Sequence, residues 1–142
     1  MLKLLATVIT LFTVATTSVT SVTAQNNNLI VRGQYLVEQV AMCADCHSPR
    51  NEQGEFDRTH WLQGAPIGFK PIFPMPAWAD IAPSIAGIGN EGSTQKEEAV
   101  VKLLETGLNS QGIPARPPMP TYRLSHSDAL AVVAYLKSLN SN

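Results

Sequence analysis

The chain of 142 residues has little of what indicates several large classes of protein. It has two cysteines, both between residues 43 and 46, and three histidines, whereas a structural zinc site needs about four ligands at close spacing. Its formal net charge is −1 without a basic block, which argues against nucleic acid or an anionic membrane as a partner. The apolar stretch Leu4–Val14 is shorter than the about 20 residues of a membrane span. No strand pattern and no internal repeat is recognisable.

The run Cys43-Ala44-Asp45-Cys46-His47 has the C-x-x-C-H spacing at which proteins attach a haem through two thioether bonds. Residues three apart on a helical turn share one face, with about 5–6 Å between their β-carbons, so both thiols can reach one porphyrin. The adjacent histidine offers a neutral imidazole nitrogen to the iron. The motif therefore predicts Cys43 and Cys46 as attachment points of haem c and His47 as the proximal axial ligand.

Two other interpretations of the cysteine pair compete with haem attachment. A redox-active disulfide of the thioredoxin kind belongs near a βαβ pattern, and no such alternation follows the motif. A zinc site would have to recruit His60 and His126, which lie far apart in the sequence without the paired spacing of a finger or ribbon. Haem attachment is the favoured interpretation, and disulfide chemistry is the main alternative.

Residues 1–24 are predicted to be a signal peptide. Lys3 gives a minimal positive start, the apolar stretch follows, and Val22-Thr23-Ala24 places small residues at the positions that a signal peptidase reads. Cleavage after Ala24 would leave residues 25–30 as a short tail and residues 31–140 as one small domain. An uncleaved membrane anchor is the alternative, because the positive start is weak.

Apolar residues at helical spacing predict three helices, over Leu29–Met42, from about Gln95 to Thr106, and from Ser125 to about Leu139. Thr94-Gln95-Lys96-Glu97 is a capping-box pattern, and Ser125 with Asp128 is a second helix start. Gly107 stands where a helix would end. The residues predicted to face the core are Val100, Leu103 and Leu104 in the second helix, and Leu130, Val133, Tyr135 and Leu136 in the third.

The segment from Ser48 to Asn90 is rich in proline and glycine and is predicted to wrap a haem as a long loop. Four of its aromatic side chains are candidates for the apolar walls of the haem pocket: Trp61, Phe69, Phe73 and Trp78. A domain of this size gains much of its core from a covalently held porphyrin. The protein without haem is therefore expected to be poorly folded.

The iron position opposite His47 decides between electron transfer and reaction with small molecules. Met119 is the favoured ligand, because it lies between two prolines that fix the backbone, in a loop between two predicted helices. Met75, which also lies between prolines, is the second candidate. His60 and His126 are weaker candidates, since both look like ordinary solvated histidines.

The extended motif from Cys43 to Arg50, the preceding Arg32-Gly33-Gln34-Tyr35-Leu36-Val37 and the ending Val132-Val133-Ala134-Tyr135-Leu136-Lys137 resemble the class I c-type cytochromes. More narrowly, the chain is similar to the cytochrome c domains of bacterial periplasmic alcohol, sugar and aldehyde dehydrogenases. The resemblance implies an all-α class I cytochrome c fold, with about three to five helices and long Pro/Gly-rich loops wrapped around one covalent haem.

The resemblance also implies roles for individual residues. A proline carbonyl of the family accepts the proton on the far nitrogen of the proximal histidine, and Pro83 is the best match, with Pro66 as the alternative. Met119 corresponds to the family's methionine ligand, so that His47 and Met119 would both bind the iron. Arg50, within the extended motif, is expected among the haem-binding residues.

The last helix of the family crosses the first helix at a glycine. By that match, Gly33 and Val37 are expected to meet Val132 and Tyr135. The stretch Ala65–Ala79 departs from the family pattern, which leaves the neighbours of the haem propionates open.

These expectations together indicate a periplasmic electron carrier with one haem c, which is not itself an enzyme. Its expected partners are a dehydrogenase as electron donor and another cytochrome or a terminal oxidase as acceptor, with no nucleic acid and no stable membrane insertion. The rival interpretation is a haem enzyme or gas sensor of a peroxidase-like kind, with an open or labile sixth position on the iron.

Overall fold

The computed structural model describes residues 18–91, 93 and 95–139. Most of the predicted signal peptide, residues 1–17, lies outside this part of the chain. In chain order the elements are α1 (Ser18–Tyr35), a π-helical turn (Leu36–Val40), α2 (Ala44–His47), a 3₁₀ turn (Arg58–His60), β1 (Ala65–Pro66), β2 (Ile81–Ala82), α3 (Glu97–Thr106) and α4 (His126–Ser138). Residues 25–30, predicted as a tail, continue α1. No helix among the described residues is both long enough and apolar enough to cross a membrane.

The first and last helices cross at Gly33. A β-carbon built on this glycine would lie 1.9 Å from the carbonyl oxygen of Ala131 and 2.8 Å from Cβ of Tyr135, so only glycine allows the two helices to come this close. Val37 and Val132 are buried in the same core. The expected contact of α1 with the last helix is present, with the backbone of Ala131 as the nearest neighbour of the glycine.

The helix that leads to the cysteines ends in a widened turn. Leu36–Val40 is π-helical, and the Ala41 amide closes the turn with a 2.7 Å bond to the carbonyl oxygen of Leu36. Met42 then adopts a left-handed conformation with φ of 49°, which is rare for a residue with a side chain. The amide of Cys43 still bonds the carbonyl oxygen of Val37 at 3.0 Å. These two irregularities redirect the chain, so that the cysteine motif begins a new helix beside the core.

The ends of α3 and α4 agree in part with the caps that the sequence predicts. Ser125 caps α4 by accepting a hydrogen bond from the amide of Asp128, as predicted. Gly107 ends α3 in the left-handed conformation, with φ of 73°, also as predicted. The helix α3 begins later than the pattern predicts, at Glu97 behind Lys96, which makes no side-chain cap; the predicted capping residue Thr94 lies outside the described residues.

The residues of α3 and α4 that face the core also differ slightly from those that the apolar spacing predicts. Val101 and Leu104 are the buried residues of α3, whereas Val100 and Leu103 are only partly buried. In α4, Val133, Tyr135 and Leu136 are buried as predicted, but Leu130 is 41% exposed. A lone leucine on a short amphipathic helix can lie at the edge of the buried face, which spacing alone does not resolve.

The long loop carries a small antiparallel pair that the sequence did not indicate, because strands of two residues have no periodicity. Ala65 pairs with Ala82, and Pro66 pairs with Ile81. Two of the four predicted pocket walls, Phe69 and Phe73, are exposed side chains, while Trp61 and Trp78 are partly buried. Phe69 instead packs edge-on against Trp78, with 5.5 Å between the two ring centroids.

Candidate functional site

The cysteine motif forms one short helical turn. The amide of His47 bonds the carbonyl oxygen of Cys43 at 2.9 Å, and the amide of Cys46 bonds the same oxygen at 3.3 Å. This geometry places the two cysteines three residues apart on one turn, the arrangement that attachment to a single porphyrin requires. The two thiols are not joined as a disulfide.

Both thiols are unlike those of a redox disulfide. Burial raises the pKa of Cys43 to about 11, and burial together with the Asp45 carboxylate raises the pKa of Cys46. Disulfide oxidoreductases need the opposite shift, since their attacking cysteine is a thiolate at neutral pH. The environment of the motif therefore argues against thiol–disulfide chemistry.

The imidazole of His47 is buried, with 7% of the residue exposed, and its Nδ1 lies 2.7 Å from the carbonyl oxygen of Pro83. A carbonyl oxygen can only accept, so Nδ1 carries the proton and donates a hydrogen bond, and Nε2 keeps its lone pair. Burial lowers the pKa of His47, which keeps the ring neutral. A neutral, oriented imidazole with Nε2 free for a metal is the form that binds iron.

The loop that carries Pro83 is held against His47 by a glycine that no sequence pattern indicated. Gly64 has φ of 91°, and a β-carbon on it would lie 2.8 Å from the carbonyl oxygen of Ala82. Its amide donates a 2.8 Å bond to the carbonyl oxygen of His47. Gly64 thus fixes the backbone of the histidine, while Pro83 fixes its ring. Pro66, the alternative acceptor, pairs with Ile81 in the two-residue strand instead.

Met119 lies partly buried in the loop before α4. Its amide bonds the carbonyl oxygen of Arg116 at 3.1 Å, which makes a tight turn, and Pro117 accepts a 2.7 Å bond from the amide of Ala79. Tyr122 donates a 2.8 Å hydrogen bond to the carbonyl oxygen of Ala41, close to the cysteine motif. The loop around Met119, called the methionine loop below (Pro117–Pro120), is therefore attached to the segment that leads into the cysteine motif.

The other candidate iron ligands lie in different surroundings. Met75 is in an exposed part of the long loop, with 43% of the residue accessible. His60 Nδ1 lies 2.7 Å from an oxygen of Asp57, and His126 Nδ1 lies 2.6 Å from an oxygen of Glu105; both histidine side chains are exposed. The two histidines are thus engaged by surface carboxylates.

Arg50 packs behind the motif. Its guanidinium lies 3.8 Å from the ring centroid of Phe56, and it donates hydrogen bonds to the carbonyl oxygen of Gly54 and to Asp45. These contacts fold the turn that follows the motif and link it to a motif residue. A direct contact of Arg50 with haem stays a prediction.

The side chain of Trp78 has an enclosed polar group that bears on whether the site fits a haem. The indole Nε1 of Trp78 is buried and has no hydrogen-bond partner among the described residues. An enclosed N–H without a hydrogen-bond partner lowers the stability of the fold. The carboxylate of a haem propionate could accept this hydrogen bond. Together with two thiols at attachment spacing and an oriented neutral imidazole, this donor fits the group. The sequence placed Trp78 in the pocket wall without any sign of its unmet donor.

Residues 30–140 match the family model described as cytochrome c. The fructose dehydrogenase cytochrome subunit of Gluconobacter japonicus is 30% identical over 114 residues, 76% of this chain and 21% of that protein. A subunit of the nicotinate dehydrogenase of Pseudomonas putida is 32% identical over 114 residues, 76% of this chain and 9% of that protein. A diheme cytochrome c-type protein of Cereibacter sphaeroides is 51% identical over 111 residues, 75% of this chain and 34% of that protein.

The chain thus spans from about a tenth to about a third of the length of these relatives. The matched region contains the cysteine motif, Pro83 and Met119, and the helical architecture agrees with the family fold. Family membership implies covalently bound haem c, which the donor set of the site fits. The chain belongs to the cytochrome c family.

Proposed function

We propose that the protein transfers single electrons through one haem c whose iron is bound by His47 and Met119. The hydrogen bond from His47 Nδ1 to the carbonyl oxygen of Pro83 carries this proposal, because it leaves Nε2 of a neutral, buried imidazole for the iron beside two thiols at attachment spacing. When bound, the haem would supply reversible one-electron chemistry, and with His47 and Met119 both held to its iron it would leave no position for a substrate.

The chain's own residues tune that chemistry. The carbonyl oxygen of Pro83 accepts a hydrogen bond from the Nδ1–H of His47, which fixes the ring and makes Nε2 a better electron-pair donor to a metal. The thioether of Met119 is a soft ligand that favours the reduced iron, and the apolar core beside α2 disfavours the additional charge of the oxidised iron. Both effects raise the reduction potential. One haem is proposed because the chain has one C-x-x-C-H motif and no further cysteine.

A dehydrogenase is proposed as the electron donor, because two of the relatives are named as subunits of dehydrogenases. Another cytochrome or a terminal oxidase is the proposed acceptor. We place the protein in the periplasm after removal of residues 1–24, on the strength of the leader pattern. Residues 31–140 then form the haem domain.

The experiment is the visible spectrum of the matured, purified protein and of two methionine variants. We expect a covalent c-type haem, a ferric methionine–iron charge-transfer band, and slow or absent carbon monoxide binding to the reduced protein. Met119→Ala should abolish the charge-transfer band and lower the potential, because a soft neutral ligand is lost. Met75→Ala is the matched control and should change neither.

The alternatives give opposite results. Rapid carbon monoxide binding to the wild-type protein would support a haem enzyme or gas sensor instead. If Met75→Ala removes the charge-transfer band while Met119→Ala keeps it, the ligand assignment is wrong. A protein with two titratable thiols and no haem would contradict the proposal as a whole.

A further inference from the structure

The methionine loop, residues Pro117–Pro120, has almost no backbone amide donors. Three of the four residues Pro117–Pro120 are prolines, which lack an amide N–H, and the one remaining amide, that of Met119, bonds inside the turn. The prolines restrict φ, and one backbone bond, from the amide of Ala79 to the carbonyl oxygen of Pro117 at 2.7 Å, attaches the loop to a neighbouring part of the protein. Further attachment comes from the side chains of the residues that flank the prolines.

Arg116 supplies the attachment on the N-terminal side. Its Nε donates to the carbonyl oxygen of Ala77 at 3.0 Å, and its Nη2 donates to the carbonyl oxygen of Trp78 at 2.6 Å. The fork geometry of a guanidinium suits two neighbouring carbonyl groups, and the positive charge strengthens both bonds. Arg116 therefore joins the methionine loop to the loop that carries the enclosed indole N–H.

Tyr122 supplies the attachment on the C-terminal side. Its hydroxyl donates a 2.8 Å hydrogen bond to the carbonyl oxygen of Ala41, which precedes Cys43 by two residues and is 81 residues away in sequence. Burial is the main cause that raises the pKa of Tyr122 to about 12, so the hydroxyl keeps its proton at any pH of interest. The bond thus spans from the methionine loop to the start of the haem motif.

We propose that Arg116 and Tyr122 are positioning residues that hold Met119 on the iron, an inference that rests on the proposed ligation by Met119. The two lie three residues before and three residues after the methionine, and they attach its loop to two separate parts of the haem pocket. A methionine side chain has three rotatable bonds, and a thioether is a neutral ligand. Retention of the iron–sulfur bond therefore depends on a loop backbone that does not move away.

The first test is Tyr122→Phe in the ferric holoprotein, titrated with imidazole. Imidazole binds only when Met119 has left the iron, so its apparent affinity reports the population of the methionine-free state. We expect the apparent affinity to rise about fivefold, the population change that corresponds to about 1 kcal/mol for one hydrogen bond. The reduction potential should fall in the same variant, since a smaller fraction of the iron is ligated by sulfur.

Tyr135→Phe is the matched control. The Tyr135 hydroxyl donates a 2.6 Å hydrogen bond to Glu38 and accepts a 3.2 Å bond from Nε1 of Trp61, so the control removes one tyrosine hydroxyl and two hydrogen bonds to distant residues, away from the methionine loop. It should lower the free energy of unfolding to at least a similar extent and leave the imidazole affinity unchanged. An affinity that rises equally in both variants would show a general loss of stability and would overturn the proposal.

Arg116→Lys tests the second attachment without loss of charge. A lysine ammonium cannot reproduce the two-pronged contact, so the imidazole affinity should again rise severalfold. Arg32→Lys, which alters the exposed ion pair of Arg32 with Asp128, is the control for Arg116→Lys and should leave the imidazole affinity unchanged. An affinity within twofold of wild type in both Tyr122→Phe and Arg116→Lys would contradict the positioning role.

Failure of the ligand assignment has a different signature. If Met119→Ala binds imidazole with wild-type affinity and keeps the charge-transfer band, Met119 is not the ligand, and the proposed function fails at that point. If Met119→Ala loses the band while Tyr122→Phe and Arg116→Lys behave as wild type, the ligation stands and only the positioning role is refuted.

Discussion

The crossing of α1 and α4 at Gly33 gives the sharpest prediction for stability. In Gly33→Ala the new methyl carbon would lie 1.9 Å from the carbonyl oxygen of Ala131, whereas ordinary van der Waals contact begins at 3.4 Å. The obstacle is backbone inside a helix, which cannot rotate aside as a side chain would. The two helices must therefore separate by about 1.5 Å, the difference between these distances.

The size of the effect follows from two opposing contributions. Overpacking a tight core costs about 1–3 kcal/mol, and a collision with backbone belongs at the upper end of this range. Alanine in place of glycine inside a helix returns about 0.5–1 kcal/mol. The net loss of free energy of unfolding is therefore about 2 kcal/mol, which lowers the urea midpoint by about 1 M for a domain of this size.

The assay is urea unfolding of the holoprotein, followed by far-UV circular dichroism. Gly68→Ala is the matched control, because a β-carbon there meets no atom within 4 Å. It should unfold at the wild-type urea concentration or slightly above it, since alanine reduces the freedom of the unfolded chain. A Gly33→Ala protein as stable as Gly68→Ala would refute the tight crossing of the two helices.

Two further predictions concern the pocket and the surface. Trp78→Phe removes the enclosed indole donor, so a haem propionate that accepts a hydrogen bond from it should have a higher pKa in the variant. The pH range over which the reduction potential falls should then move upward in a spectroelectrochemical titration. If the curves of potential against pH coincide for variant and wild type, the indole does not contact a propionate. Hydrogen bonds from Thr59 and His60 lower the pKa of Asp57 to about 2. The stability that the ionised carboxylate contributes is therefore fully present above the usual pKa of 3.8 and is lost as the pH falls towards 2. Asp57→Asn should therefore unfold at lower urea than wild type at about pH 5, and the gap should narrow at about pH 2.5; a gap that is constant with pH would contradict the assigned cause.

Features that depend on close sequence spacing could be predicted from the sequence alone. Cys43, Cys46 and His47 lie within one helical turn, so the sequence defines their mutual geometry. The start of α4 at Ser125 and the end of α3 at Gly107 are equally local, because a cap depends on the residues directly beside it. The family resemblance added the helix crossing at Gly33, which no local pattern could reveal.

Features that depend on distant parts of the chain were not accessible in this way. The widened turn before the motif and the left-handed Met42 arise because the chain must leave α1 and still present the cysteines to the core. Gly64 has no local pattern that marks its contact with Ala82. The exposure of Phe73 likewise departs from the composition-based expectation of a pocket wall, since an aromatic side chain in a proline-rich loop can face either way.

The crossing of α1 with α4 also sets an order of events during synthesis. The first helix finds its main partner only after about 100 further residues have been made, which takes roughly 5–20 s at the usual rates of translation. The cysteine motif directly follows α1, so it emerges long before the core can close around it. The first helix therefore cannot bury its crossing face until the last helix has been made, and the C-terminal helix is the element that completes the core beside the motif.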